Sequence, residues 1–297
     1  MRIIDLHVHA GPSVMPRAVD AAEMLQEAQK AGYSAIVIKD HYAPTMMSAE
    51  ICEKHLGNGK CKVFGGIALN NSVGGINLKA VDAACALGAK LVWMPTVSSL
   101  RHKIMHSGKG LAFPSSKGMT VAENTIMYLN EDGSLKPGVL QVLDYLAQKP
   151  DVILATGHGS RDEIDALIHA AAERGIKRIL ANHPHYMIGA SIEDMVAWSR
   201  LGAYIELNAV AFVPDSKFHT HEIEEARNIV AAVGIDKIVL DSDYGQNGNG
   251  SPVTGLTRFI GMLQEACSLT DEQMEAMTYH NPAWLLGEQY STVSSDG

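Results

Sequence analysis

The sequence reads as an α/β protein, a closed (β/α)8 TIM barrel with an insertion after the fourth strand. A recurring unit carries this reading. A helical stretch ends in glycine and an apolar β run follows, at 32–39, 88–94, 175–181, 202–208 and 234–240. Glycine takes the left-handed conformation that closes a helix. The β runs are almost continuously apolar, as parallel strands covered on both faces are. With 3–8, 62–68 and 151–156 added there are eight strands, which fits a closed barrel better than an open sheet. No Gly-rich phosphate loop follows the first run, which weighs against the open doubly wound alternative.

The elements follow in order. Residues 3–8 form the first strand, and apolar residues at helical spacing predict a helix over 18–31. After the second strand, Cys52 and Cys61 flank a turn and read as structural thiols. Helices are then predicted over 76–87, 138–147, 162–174, 192–201, 222–233 and 254–267. Ser160 and Glu163, Ser191 and Asp194, and Thr270 and Gln273 have capping-box spacing at helix starts. One connection, about 97–136, is longer than a barrel needs and holds Arg101, His102, Lys103, His106 and Lys109. It reads either as a lid or binding loop or as a surface hairpin or oligomer contact. Residues 1–287 are expected to form one barrel, with 288–297 a C-terminal tail.

The chain has 297 residues, 46% hydrophobic and 19% charged, with a net charge of −9. No basic run interleaved with aromatics is present, which excludes a nucleic-acid partner. No apolar run reaches the roughly 20 residues of a membrane span. The chain enters a strand at once, so no signal peptide is read. The 4 cysteines form no CxxC pair, which points to reduced thiols and a cytoplasmic protein. A small-molecule substrate and a homo-oligomer are expected.

The chemistry gathers at strand ends. Alternate strand residues share a face, so His7 and His9 project together while Leu6 and Val8 face the other way. Two adjacent neutral imidazoles are half of a metal site. Lys39 and His41 end the second strand, His158 the fifth, His183 and His185 the sixth, and Asp241 and Asp243 the eighth. Barrel active sites are built on that face. Histidine with carboxylate suits zinc, iron or manganese. Asp5 reads as a structural acceptor and Asp241 as a carboxylate pairing with Lys or Arg. His183 and His185 share a face, and spacing does not separate them. His102 and His106 read as ordinary helix or capping residues, His219 and His221 either as the same or, opening a helix, as residues that reach the site, and Asn208 as a substrate contact at the mouth.

Asp5-Leu6-His7-Val8-His9 resembles the first-strand HxH of the amidohydrolase superfamily. His158 and His183 match its fifth- and sixth-strand histidines. Leu240-Asp241-Ser242-Asp243-Tyr244 resembles its eighth-strand motif, which selects Asp243 over Asp241. Asn281-Pro282-Ala283-Trp284-Leu285-Leu286-Gly287 is similar to a terminal helix of many members. The resemblance implies a metal-dependent hydrolase cleaving a C–N bond of a small amide or cyclic amide with a metal-activated water. It implies one or two divalent ions, zinc first and manganese or iron as alternatives. The implied ligands are His7, His9, His158, His183 and Asp243; separately, Ala35-Ile36-Val37-Ile38-Lys39-Asp40-His41 resembles a motif of the polymerase-and-histidinol-phosphatase phosphoesterases, and in that reading His41 joins the metal ligands. Asp243 is the implied proton acceptor, with His185 and Lys39 beside the substrate. The fourth strand ends Trp93-Met94-Pro95-Thr96, without the Lys or Glu that bridges two metals in many members. Lys39 could supply a carbamate bridge or bind a substrate anion or carbonyl. The alternatives are a nonoxidative decarboxylase or lactonase of the same superfamily, a phosphoesterase suggested by Lys39-Asp40-His41, and a metal-binding barrel without turnover.

Overall fold

The computed structural model describes residues 1–107 and 118–287; Lys109 and the expected tail at 288–297 lie outside the described residues. Eight parallel strands stand in sequence order: β1 (Ile4–His9), β2 (Ala35–Lys39), β3 (Lys62–Ala68), β4 (Leu91–Trp93), β5 (Ile153–Ala155), β6 (Ile179–Ala181), β7 (Tyr204–Asn208) and β8 (Ile238–Asp241). The ring nearly closes between β8 and β1, and the result is a (β/α)8 barrel. Asp243 N–H donates to His7 O at 2.9 Å and His9 N–H donates to Tyr244 O at 2.8 Å.

Two carboxylates complete that seam. Leu6 N–H donates to Asp241 Oδ1 at 2.6 Å, and Ser242 N–H donates to Asp5 Oδ1 at 3.1 Å. Asp5 is thus the structural acceptor expected. Asp241 is held by backbone N–H rather than by the Lys or Arg partner expected of it: the barrel seam offers an unpaired amide, and among the described residues no Lys or Arg pairs with it.

Two apolar layers sandwich the strands. Ile4, Leu6, Ala35, Val37, Leu91, Trp93, Ile153 and Val239 belong to one, inside the barrel. A larger cluster packs between strands and helices. Leu6 lies in the inner layer and Val8 in the outer one, so they do not share a face as strict alternation requires. The pairing register of β1 on β2 shifts between Asp5 and Val8. Such an irregularity re-aims side chains, and here it turns both His7 and His9 to the mouth above Leu6.

Helices fill the connections. The first is Ala21–Lys30, starting later than the periodicity predicts because Asp20 and Glu23 form its capping box. Residues before it form a loop. Helix Met46–Leu56 replaces the turn read around Cys52: Met46, Ala49 and Cys52 bury one face, but Met47 and Ile51 stay exposed and blur the period. The long connection after β4 carries helix Leu100–Ser107. There Arg101 Nε donates to Met187 O at 3.0 Å and Lys103 Nζ to Glu123 O at 2.7 Å. At the opposite end of the barrel, Asn281 Nδ2 donates to Ile238 O at 2.6 Å and fixes helix Asn281–Leu286 beneath the strands. Among the described residues, no helix is long and apolar enough to cross a membrane.

Replacing Asp241 by Ala leaves the buried Leu6 N–H without its acceptor. A loss of about 1–3 kcal/mol in unfolding free energy is expected, with a smaller loss for Asp241→Asn, which keeps an oxygen there. Urea denaturation measures both; midpoints equal to wild type would remove the carboxylate from the account of closure.

Candidate metal centre

β1 supplies the first two rings, and each is oriented through Nδ1. His7 Nδ1 lies 2.9 Å from Glu206 Oε1, and His9 Nδ1 lies 3.2 Å from Lys39 O. A donor bond at one ring nitrogen leaves the other free to ligate. The free nitrogens converge: His7 Nε2 is 3.1 Å and His9 Nε2 3.0 Å from one oxygen, Asp243 Oδ1. Lys39 Nζ sits 2.9 Å from His7 Nε2 and 5.4 Å above the Trp93 ring. His183 completes the inner cluster. His7, His183 and Asp243 each present a ligand atom within 4.8 Å of the others, and all are buried.

His183 and Asp243 share a backbone peculiarity. Their φ angles are 28° and 50°, in the left-handed region that residues other than glycine seldom occupy. Such conformations cost of order 1–3 kcal/mol each and persist where the surrounding structure imposes them. Both are pinned: His183 N–H donates to Glu206 Oε2 at 2.9 Å, and Asp243 N–H joins the seam with β1. Gly245 follows in the same region, where any Cβ would collide with the His9 carbonyl.

A second group of histidines forms the adjoining wall. The His9 and His41 rings are 4.9 Å apart, and His158 and His183 4.7 Å. His41 Nδ1 is 2.9 Å from Thr96 Oγ1, at the end of the strand that lacks a bridging carboxylate. His158 Nδ1 meets His102 Nδ1 at 2.9 Å. Ser99 Oγ, just before the helix after β4, donates to the His158 carbonyl at 2.6 Å, so the connection after β4 holds this histidine from two sides.

Charge divides unevenly. Burial favours neutral His7, yet Asp243 and Glu206 outweigh it and raise its pKa to about 9. Burial also opposes ionisation of Glu206, but the charge and hydrogen bond of His7 bring it down to about 2. Asp243 is likewise held well below the usual carboxylate range by His7 and His9 despite its burial. Burial first, and neighbouring cations second, lower His9 to about 3. Burial lowers Lys39 to about 8, and it keeps His41 and His158 well below an ordinary imidazole.

This donor set fits a divalent cation. Neutral imidazoles and an ionised carboxylate are the ligating forms; His9, His158 and His183 are held neutral and Asp243 ionised, while His7 would give up its proton to a bound cation. Among the described residues, His158 Nε2 and His183 Nδ1 are buried without a hydrogen-bond partner. Buried polar atoms of this kind require an explanation, and a bound cation supplies one.

The structure therefore gathers His7, His9, Lys39, His41, His158, His183 and Asp243. It turns His185 away: that ring stacks on Phe212 at 4.7 Å and is not part of the cavity wall. Strand alternation does not reach it, because β6 stops at Ala181 and Pro184–Ile188 coils into a wide helical turn. Asn208 is buried with both amide atoms unpartnered among the described residues, and it does not line the cavity. Three residues beyond the sequence reading belong here. Glu206 was signalled by a charge inside an otherwise apolar β7. His102 and Arg17, both in the cavity wall, have no comparable signal.

The same barrel fold is found in solved structures of amidohydrolases and of a decarboxylase. An amidohydrolase from Pseudomonas aeruginosa aligns at TM-score 0.66 and 11% identity, over 97% of this chain and 96% of that one. A putative 2-pyrone-4,6-dicarboxylic acid hydrolase from Pseudomonas putida aligns at 0.57 and 12%, over 96% and 97%. A 2,6-dihydroxybenzoate decarboxylase aligns at 0.53 and 10%, over 96% and 98%. At these identities the likeness establishes the fold. By sequence the chain belongs to the Family of unknown function (DUF6282), whose match covers residues 2–206, from before β1 into β7. No curated protein matches the chain.

Elemental analysis of protein purified without chelator tests the site. His7→Ala, His183→Ala and Asp243→Asn are each expected to lose bound metal, while His185→Ala keeps it. Glu206→Gln is expected to weaken metal affinity by roughly 10- to 100-fold, the usual effect of removing the group that orients a ligating histidine. Metal retained in His183→Ala and lost in His185→Ala would reverse the assignment.

Proposed function

We propose that this chain is a metal-dependent hydrolase that cleaves the C–N bond of a small amide or cyclic amide. One observation carries the reading: a single Asp243 oxygen stands within 3.1 Å of both His7 Nε2 and His9 Nε2. His7, His9, His183 and Asp243 would hold one divalent ion, with His158 and His41 available to a second; zinc, manganese and iron all suit these donors. The bound ion supplies Lewis acidity toward water and carbonyl.

The residues do the rest. Asp243, kept ionised, accepts a proton from the attacking water and returns it to the leaving nitrogen. The Tyr186 hydroxyl, 3.3 Å from Asp243 Oδ2, holds the carboxylate in plane. Lys39 Nζ is positioned to donate to the oxyanion that develops on the carbonyl. Met15, Met105, Met187, Val210 and Phe218 give the cavity an apolar wall that excludes bulk water.

Nonoxidative decarboxylation is the second reading. Two buried cations, Lys39 and Arg17, in one cavity wall favour it, since they suit a substrate carboxylate. The two readings differ in product. Amine release from a panel of small amides and lactams, abolished by chelation and restored by zinc or manganese, is the expected result. Asp243→Asn, which removes a metal ligand together with the proton acceptor, is expected to slow it by at least about 10²–10⁴-fold. Release of carbon dioxide from aromatic acids without any amine release would select the decarboxylase.

A further inference from the structure

Among the described residues of the long connection, Arg101 and Lys103 do not line the cavity and are bound to main-chain carbonyls. A different arginine does reach it. Arg17 lies on the loop between β1 and helix Ala21–Lys30, and its side chain is only 4% exposed. It lines the cavity together with Lys39, Gln246 and Asp243.

The guanidinium is under-used. Its Nη2 meets Asp40 Oδ2 at 3.3 Å, the far end of the hydrogen-bond range. Its Nε is buried without a partner among the described residues. A guanidinium carries five N–H donors in a planar fork. Asp40 cannot turn to meet more of them, because its Oδ1 accepts from Tyr42 N–H at 2.8 Å and Ala43 N–H at 3.0 Å.

Nor can the arginine drift away. Ala18 N–H donates to Gly245 O at 2.9 Å, and Asn247 N–H donates to Pro16 O at 3.3 Å. The loop is thereby stitched to the segment after β8, and the fork is held in place before any ligand arrives. Burial lowers the arginine's pKa even with Asp40 alongside, so the cation gains from a further anionic partner. Asp40 already offsets part of the charge, which suits a single carboxylate better than a phosphate dianion. A carboxylate also matches the planar fork with two oxygens.

We infer that Arg17 anchors a carboxylate carried by the substrate, so that the molecule taken into this cavity is a small acid whose scissile amide lies beside Asp243. The identity of the bond rests on the hydrolase reading; the charge of the ligand does not.

The test uses matched ketone probes that carry no hydrolysable bond: 4-oxopentanoate against 5-hydroxypentan-2-one, and 4-oxo-4-phenylbutanoate against 4-hydroxy-1-phenylbutan-1-one. Calorimetric titration of the metal-loaded protein is expected to show each carboxylate binding roughly 10- to 100-fold tighter than its neutral twin, the usual advantage of a charge-assisted bond. Arg17→Gln is expected to bring the pair to parity, and Arg17→Lys to keep part of the preference. Asp40→Asn, which frees the guanidinium, is expected to tighten the carboxylates and serves if Arg17→Gln does not fold. Equal binding of both twins, a preference that survives Arg17→Gln, or no binding of either carboxylate would overturn the inference. The hydrolysable counterparts, N-acetylglycine and N-benzoylglycine, separate the two claims. Arg17-dependent binding without amine release sinks the hydrolase reading and leaves the anion site. Amine release from N-benzoylglycinamide as fast as from N-benzoylglycine does the reverse.

Discussion

Closure of the barrel between β8 and β1 is the constraint on which the mouth depends. The two strands that must meet are the two that carry His7, His9 and Asp243. The bonds between Asp243 N–H and His7 O, and between His9 N–H and Tyr244 O, are main-chain bonds of the seam. They also fix the distance from the Asp243 carboxylate to both rings. Asp243 must adopt a left-handed backbone to reach this place. Gly245 must lack a side chain because the chain passes against the His9 carbonyl. The geometry of the site is thus a consequence of shutting the barrel, and stability and site share one set of contacts.

Four buried carboxyls stand along this seam and its neighbour β7, and they cannot all be ionised in a low-dielectric interior. The structure sorts them. Asp243 and Glu206 face the imidazoles and are held low. Burial raises Asp5 to about 6, and burial with the nearby Glu206 and Asp5 raises Asp241 well above the ordinary range. The pair pushed toward neutrality accepts backbone N–H bonds, a structural task that needs no charge. The pair kept ionised orients and faces the rings, a task that does. Environments that push like groups apart separate chemical from structural roles, and here the division coincides with position along the strands.

The barrel was legible because its evidence is local and repeated: glycine-closed helices and apolar runs recur with the same spacing. His7, His9, His158, His183 and Asp243 were legible for a related reason, since each ends a strand and strand ends converge. What escaped depends on contacts distant in sequence or on local departures from regular structure. Glu206 acts on a ring 199 positions away, across the β7–β8–β1 corner. The shared face expected of His183 and His185 does not form, because β6 ends at Ala181 and Pro184–Ile188 coils into a helical turn. Leu6 and Val8 were misassigned because the register of β1 shifts between Asp5 and Val8. Arg17 carried no local signal, since it precedes the predicted helix and is held in the cavity wall by bonds between its loop and the segment after β8, distant in sequence.

The fourth strand shows how the missing bridging residue alters the centre. Trp93 fills the interior where β4 ends, with its ring 6.2 Å from that of His7, and Thr96 above it receives His41. Among the described residues, no carboxylate lines the cavity from that side. The next residues instead lead into helix Leu100–Ser107, which places His102 against His158. An orienting contact thus comes from a connection rather than from a strand. Connections are the part of a barrel free to vary while the strand ends stay fixed. The inner donors at the β8–β1 seam are tied to closure of the fold, whereas the His158 wall is tied to the long connection after β4. Changes in that connection therefore act on the His158 side of the cavity without disturbing His7, His9 and Asp243.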